Sequence, residues 1–97
     1  MRRNEVLEVL GRHSEELRER FYVRSLRLFG SVARDESSEA SDIDILVGFS
    51  GPRTFSGYMN LRIFLEDLLG AKVDLVTESG LKDRVRPYVE RDAIRVA

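Results

Sequence analysis

We expect this sequence to form one α/β (α+β) domain over residues 1–97, in which a short mixed β-sheet is flanked by helices. Two observations predict this fold. Short segments rich in β-branched and aliphatic residues alternate along the chain with segments whose apolar residues repeat at helical spacing. The composition, 42% hydrophobic and 34% charged over 97 residues, provides one modest core and no second lobe.

Residues 3–21 are predicted to form the first helix. The apolar residues Val6, Leu10, Leu17 and Phe21 are separated by 4, 7 and 4 positions, which places them on one helical face, while arginine and glutamate fill the rest. Gly11 lowers the helix propensity locally by about 1 kcal/mol relative to alanine. The periodicity on both sides of it still favours a helix.

Residues 23–30 are predicted to form the first strand, with Leu26 and Leu28 on one face, and the strand runs into a glycine. Residues 31–34 are typical of a short helix start, because serine caps helices well and Gly30 permits a sharp turn. Residues 35–41 are polar and are predicted as a loop. The remaining elements are predicted as strands at residues 42–49 and 72–77, a helix at 55–69 ended by Gly70, a short helix with Pro87 in its first turn, and a terminal strand within residues 93–97.

Composition and charge exclude several functional classes. The chain has no cysteine, so it has neither disulfides nor a thiolate nucleophile. No apolar run approaches the roughly 20 residues of a membrane span, and the amphipathic start is unlike a signal peptide, so we expect a cytoplasmic protein. The net charge of −1 argues against direct nucleic-acid binding. Residues 35–50 contain five acids and no base, which concentrates the negative charge in one segment.

Three aspartates within apolar strands are the strongest candidates for chemistry. Asp42 and Asp44 are two positions apart on one strand, so their side chains project from one face, close enough to ligate a divalent ion or a pair of ions. Asp74 repeats the pattern in the next strand and reaches the same pocket if the strands are neighbours. Taken singly, Asp42 has a structural alternative as a strand-entry residue that bonds the backbone, and Asp74 as the partner of Lys72 or of an arginine.

A candidate phosphate-binding turn precedes these acids. Gly30 follows a strand and Ser31 opens a helix, which presents backbone N–H groups, a hydroxyl and the positive end of the helix dipole to an anion. Arg34 lies within reach of a bound phosphate. The alternatives are an ordinary turn with an N-cap and a solvated surface arginine. Beside three metal-binding acids, the turn favours a nucleotide with magnesium.

Residues 28–34, the ten residues between Ser31 and Asp42, and residues 41–47 together resemble the signature of the DNA polymerase β-like nucleotidyltransferase superfamily. More narrowly, the chain is similar to the minimal nucleotidyltransferase (MNT) domains that act as antitoxins beside HEPN-domain toxins. Residues 70–77 match the segment that carries the third acid of the family. Asp35 is a departure, because the family commonly has glycine there.

The resemblance implies a polymerase β palm-like fold and a mechanism. Asp42, Asp44 and Asp74 would be the catalytic residues and would hold two Mg²⁺ ions, while Gly30, Ser31 and Arg34 would bind the nucleotide, with ATP as substrate. Asp74 would hold the ion that activates the nucleophile. In the antitoxin relatives the acceptor is a tyrosine of the HEPN toxin, which becomes adenylylated and silenced.

We therefore expect a Mg²⁺-dependent protein adenylyltransferase that serves as the antitoxin of a HEPN-type toxin. So short a chain has little left to shape an acceptor pocket, which also favours an acceptor on another chain. The alternative is a non-catalytic, nucleotide-binding antitoxin that neutralises its partner by complex formation alone, and Asp35 favours it. Transfer to a small molecule would need an acceptor site for which the sequence has no second domain.

Overall fold

The computed structural model describes residues 2–36, 42–51, 54–83 and 86–96. In chain order the elements are α1 (Arg3–Arg12), α2 (Ser14–Phe21), β1 (Val23–Phe29), α3 (Gly30–Ala33), β2 (Ile43–Phe49), α4 (Phe55–Leu69), β3 (Val73–Thr77), a 3₁₀ turn (Glu78–Gly80), α5 (Arg86–Asp92) and β4 (Ile94–Arg95). Most of the predicted loop at 35–41 lies outside the described residues.

The strands form a four-stranded sheet in the order β3-β2-β1-β4 within the described part of the chain. β1 pairs antiparallel with both β2 and β4, whereas β2 pairs parallel with β3. The parallel pair requires a crossover connection, and α4 provides it. The predicted mixed sheet flanked by helices is confirmed.

The two faces of β2 carry different residues. Ile43, Ile45 and Val47 alternate along the strand and belong to the main core, where they are almost fully buried together with apolar residues of α1, α2 and α4. Because side chains alternate across a strand, Asp44 and Leu46 lie on the opposite face. The core therefore fixes β2 and leaves the Asp44 face for other contacts.

The single helix predicted over residues 3–21 is wrong, because two helices occupy that range. The backbone leaves helical geometry at His13, with φ −108° and ψ 13°, and its N–H bonds the Leu10 carbonyl. The imidazole Nδ1 lies 2.9 Å from the Val9 carbonyl oxygen, which gives the break a local contact. Val6, Leu10 and Leu17 are nevertheless all buried in the core, as the periodicity predicts.

The predicted helix at 55–69 is confirmed at both ends. The Thr54 hydroxyl accepts a hydrogen bond from the Gly57 N–H at 2.9 Å, and Gly70 ends the helix in the left-handed conformation at φ 62°. The short helix after β1 also forms, but Ser31 does not cap it. The N-cap is Phe29, without a side-chain cap bond, and the helix starts at Gly30.

Candidate active site

Strand register brings two of the predicted acids side by side. In the parallel pair of β2 and β3, Asp44 lies opposite Asp74, so both carboxylates project from the same face of the sheet. The two carboxyl groups interact, since Asp74 contributes to the raised pKa of Asp44. The condition set by the sequence, that the two strands be neighbours, is therefore met.

The backbone around Asp74 is held by α4. The Glu66 carboxylate accepts a hydrogen bond from the Val73 N–H at 3.0 Å, and the Tyr58 hydroxyl donates to the Leu75 carbonyl at 2.6 Å. These two bonds lie on either side of Asp74. They fix β3, which is an edge strand. Sequence reasoning missed both bonds because each depends on how α4 packs against β3.

The glycine of the predicted phosphate-binding turn lies against the same carboxylate. Asp44 is opposite Phe29 in the antiparallel pair of β1 and β2, and Gly30 follows Phe29 directly. Gly30 has φ 74°, and a β-carbon there would overlap the Asp44 carboxylate, 2.9 Å from its Cγ. Only glycine combines this backbone conformation with so close an approach.

Asp44 carries the clearest electrostatic perturbation of the site. Partial burial, followed by the negative charges of Asp74 and Asp42, raises the pKa of its carboxyl group to about 6. The positive charge of Arg34 opposes this rise. Asp42, Asp74 and Arg34 therefore all act on the Asp44 carboxyl group.

Asp42 lies immediately before β2 and is exposed, as is Asp74, while Asp44 is half-buried. Among the described residues, no three acidic, histidine or cysteine side chains are close enough to form a finished metal cage. The donor set still fits magnesium, because carboxylate oxygens are its preferred protein ligands and substrate phosphates and water complete its shell. A cation would also offset the repulsion that raises the pKa of Asp44.

Arg34 lies at the end of α3 and is held by two carboxylates. Its Nη1 donates to Asp92 at 2.8 Å, and its Nε donates to Glu36 at 3.1 Å. These hydrogen bonds, with the attraction of both carboxylates, raise the pKa of the guanidinium further. The sequence identified Arg34 as a nucleotide-binding candidate but did not identify Asp92, which is 58 residues away along the chain.

Asp35 points toward α1. Its carboxylate accepts hydrogen bonds from the Arg2 guanidinium at 3.3 Å and from the Arg3 backbone N–H, and these partners lower the pKa of the Asp35 carboxyl. Asp35 has φ 58°, the left-handed region in which glycine is the most favourable residue and aspartate is tolerated. This conformation gives a physical reason why glycine suits the position.

A groove formed by the described residues lies away from these carboxylates. It holds about 680 Å³ between α2 and α4 and is lined by apolar residues that include Phe21, Phe49 and Phe64. Phe49 ends β2, five residues and roughly 17 Å from Asp44. The carboxylates, rather than the groove, therefore define the candidate site.

No helix in the described ranges is long and apolar enough to cross a membrane.

A small mixed sheet that carries paired aspartates beside a glycine turn defines a nucleotidyltransferase class of protein. The nucleotidyltransferase domain family matches residues 10–96, and the chain belongs to this family. The family resemblance predicted from residues 28–34, 41–47 and 70–77 is confirmed.

Similar proteins agree with this assignment. The protein adenylyltransferase MntA of Thermococcus cleftensis is 44% identical over 92 residues, which cover 95% of this chain and 93% of the relative. A solved structure described as a candidate minimal nucleotidyltransferase is 42% identical, with a TM-score of 0.82 over 97% of this chain and 95% of that one. The predicted minimal nucleotidyltransferase fold is confirmed.

A more distant structure shares the fold alone. It is a complex between a tri-AMPylated HEPN toxin of Shewanella oneidensis and an MNT antitoxin. One chain of the complex is 19% identical to this chain, with a TM-score of 0.67 over 94% of this chain and 71% of that chain.

Proposed function

We propose that this protein is a Mg²⁺-dependent adenylyltransferase that transfers AMP from ATP to a tyrosine of a HEPN-type toxin and thereby acts as its antitoxin. The observation that carries the proposal is the juxtaposition of Asp44, Asp74 and Gly30 on one face of the sheet. The MntA relative and the complex with an AMPylated HEPN toxin support the substrate class and the partner. The proposal places the protein in the cytoplasm, where ATP and Mg²⁺ are available.

Asp42, Asp44 and Asp74 are the residues that would hold two Mg²⁺ ions. When bound, the ions would supply charge neutralisation at the α-phosphate and at the departing pyrophosphate. Asp44 contributes from the centre of the site, where its neighbours disfavour an uncompensated charge. Asp42 and Asp74 contribute from its exposed margins, where substrate and solvent have access.

The turn after β1 would bind the triphosphate. The Gly30 backbone and Ser31 would contact the β- and γ-phosphates, and Arg34 would add a positive charge. The phenolic oxygen of the acceptor attacks the α-phosphorus, and the bond to the bridging oxygen of the β-phosphate breaks. Pyrophosphate leaves with the electron pair, and Asp74 is the candidate acceptor for the phenolic proton.

The test uses the chain co-expressed with a HEPN-type toxin protein. We expect the intact mass of the partner to rise by whole AMP units, and α-labelled ATP to label the purified partner. Asp42→Asn and Asp44→Asn should abolish the labelling, whereas Asp67→Asn, an exposed acid on α4, should leave it unchanged.

A bound but unmodified partner would contradict the enzymatic proposal and support the alternative, neutralisation by complex formation alone. Asp35 was the feature that favoured this alternative. Its carboxylate is engaged by Arg2 and Arg3, so its contacts give the alternative no support.

A further inference from the structure

We propose that Asp92 is a positioning residue that orients Arg34 for the nucleotide, so that the end of α5 is part of the active-site framework. This inference rests on the proposed function, because it assumes that Arg34 contacts a bound nucleotide. It adds a residue from the last helix to a site that the motifs place entirely on β1, α3, β2 and β3.

The contact between the two residues is direct and partly shielded. Arg34 Nη1 donates to Asp92 Oδ2 at 2.8 Å, and the Asp92 side chain is only 18% exposed. Charge-assisted hydrogen bonds of this length are about twice as strong as neutral ones. The second partner, Glu36, has a side chain that is 66% exposed, so solvent weakens its hold on the guanidinium.

The geometry leaves one edge of the guanidinium available. Nε is directed to Glu36 and Nη1 to Asp92, whereas Nη2 has no hydrogen-bond partner among the described residues. A guanidinium is planar and rigid, so two fixed nitrogens determine where the third points. Arg34 lies one helical turn after Gly30, whose carbonyl accepts a hydrogen bond from the Arg34 N–H, and the Gly30 backbone lies against the Asp44 carboxylate.

Within its own helix Asp92 has a long ion pair, at 3.8 Å, with Arg91. It is the last residue of α5, and a negative charge is unfavourable at the C-terminal end of a helix dipole. Its ion pair with Arg34 compensates for that cost.

Both partners are anchored to the same strand. α3 follows β1 directly, and β4, two residues after Asp92, pairs with the end of β1 at Leu28 and Ile94. Sites held by rigid elements keep their geometry better than sites on loops. The Asp92 carboxylate is therefore suited to hold Arg34 in one orientation.

The experiment is a double-mutant cycle read by calorimetric titration of ATP in the presence of Mg²⁺. Asp92→Asn keeps an acceptor oxygen but loses the charge that makes this hydrogen bond about twice as strong, so it should weaken ATP binding about fivefold. Arg34→Ala should weaken it at least as much, and the double variant should be no weaker than Arg34→Ala alone. Asp83→Asn, a fully exposed acid just before the same helix, is the matched control and should bind ATP like the wild type.

A purely structural role for Asp92 would give different ATP affinities in the single and double variants. If Asp92→Asn binds ATP like the wild type, binds it more tightly, or weakens binding equally in the Arg34→Ala background, the positioning role is overturned and the proposed function stands. A more tightly binding variant would mean that Asp92 competes with the nucleotide for Arg34. If the wild-type protein itself does not bind ATP, the proposed function fails, and this inference fails with it.

Discussion

Asp44 and Asp74 lie opposite each other on neighbouring parallel strands, and partial burial together with the charge of Asp74 raises the pKa of the Asp44 carboxyl group to about 6. A third acid, Asp42, adds to the negative charge. Like charges on one face of a sheet destabilise the fold unless a proton or a cation compensates them. We therefore expect the pair to reduce stability when neither a proton nor a cation compensates it, a pattern that is common at functional sites.

The first prediction concerns the stability cost of Asp44. At pH 7, and without divalent cations, Asp44→Asn should raise the free energy of unfolding by about 0.5–1 kcal/mol. The gain is modest because solvent reaches the half-buried side chain and screens the repulsion. Urea denaturation in EDTA measures it. Asp67→Asn removes an exposed charge outside the site and should change stability by less than about 0.5 kcal/mol.

The second prediction concerns Mg²⁺. Adding the ion should raise the melting temperature of the wild-type protein, because a ligand that binds the folded state stabilises it. The Asp44→Asn variant should gain little, since it lacks the central carboxylate. Thermal denaturation in EDTA and in millimolar MgCl₂ checks both. An equal gain in the two proteins would mean that the ion binds elsewhere.

The sequence predicts the site residues that neighbouring positions identify, but it does not predict contacts between residues far apart in the chain. Asp42, Asp44 and Gly30 are recognised from neighbours within a few positions, because alternation and turn chemistry operate at that range. Asp74 depends on strand order, which the pattern does not specify. The contact of Asp92 with Arg34 joins residues 58 positions apart and depends on where α5 packs, which no local pattern encodes.

The helical region shows the same limit. Periodicity correctly identifies Val6, Leu10 and Leu17 as core residues. It does not reveal the break at His13, because the residues on both sides keep their helical spacing and the interruption depends on backbone geometry at one residue.

The third prediction separates Asp35 from nucleotide binding. Asp35→Gly removes the contacts to Arg2 and the Arg3 N–H but relieves a left-handed conformation at φ 58°. The two effects oppose each other, so the net change in stability should be small. The affinity for ATP should change by less than about twofold, since Asp35 faces α1. A large gain in affinity would revive the view that this carboxylate impairs the site.

The fourth prediction concerns a polar cluster at the other end of β2. The Ser25 hydroxyl donates to Glu78 Oε1 at 2.6 Å, and Arg24 Nη2 lies 3.4 Å from the same oxygen. Gly48 allows the approach, because a β-carbon there would overlap that carboxylate. Glu78→Ala leaves the buried Ser25 without this acceptor and should cost about 1–2 kcal/mol.

The pH dependence of stability distinguishes the charge of Glu78 from its packing. The hydrogen bond from Ser25 lowers the pKa of the Glu78 carboxyl below its ordinary value of 4.5, and Arg24 adds to the effect. A lowered pKa in the folded state contributes stability above about pH 4.5, which is lost as the pH falls through the folded pKa. Glu78→Gln keeps the shape and should lose this contribution, so its disadvantage should shrink below pH 4.

The fifth prediction compares two glycines, Gly30 and Gly70, that differ in the space available for a β-carbon. Gly30 and Gly70 both have positive φ, 74° and 62°, but a β-carbon would meet Asp44 at Gly30 and nothing within 4 Å at Gly70. Gly70→Ala should therefore cost only the strain of a left-handed residue, about 1–2 kcal/mol, and leave adenylyl transfer intact. Gly30→Ala has the same strain and also displaces the Asp44 carboxylate. It should destabilise the protein more and lower labelling of the partner at least about tenfold, because small displacements of positioned groups are costly. Denaturation and labelling measured on both variants decide the point: equal behaviour would mean that Gly30 serves the backbone turn alone and has no role in placing Asp44.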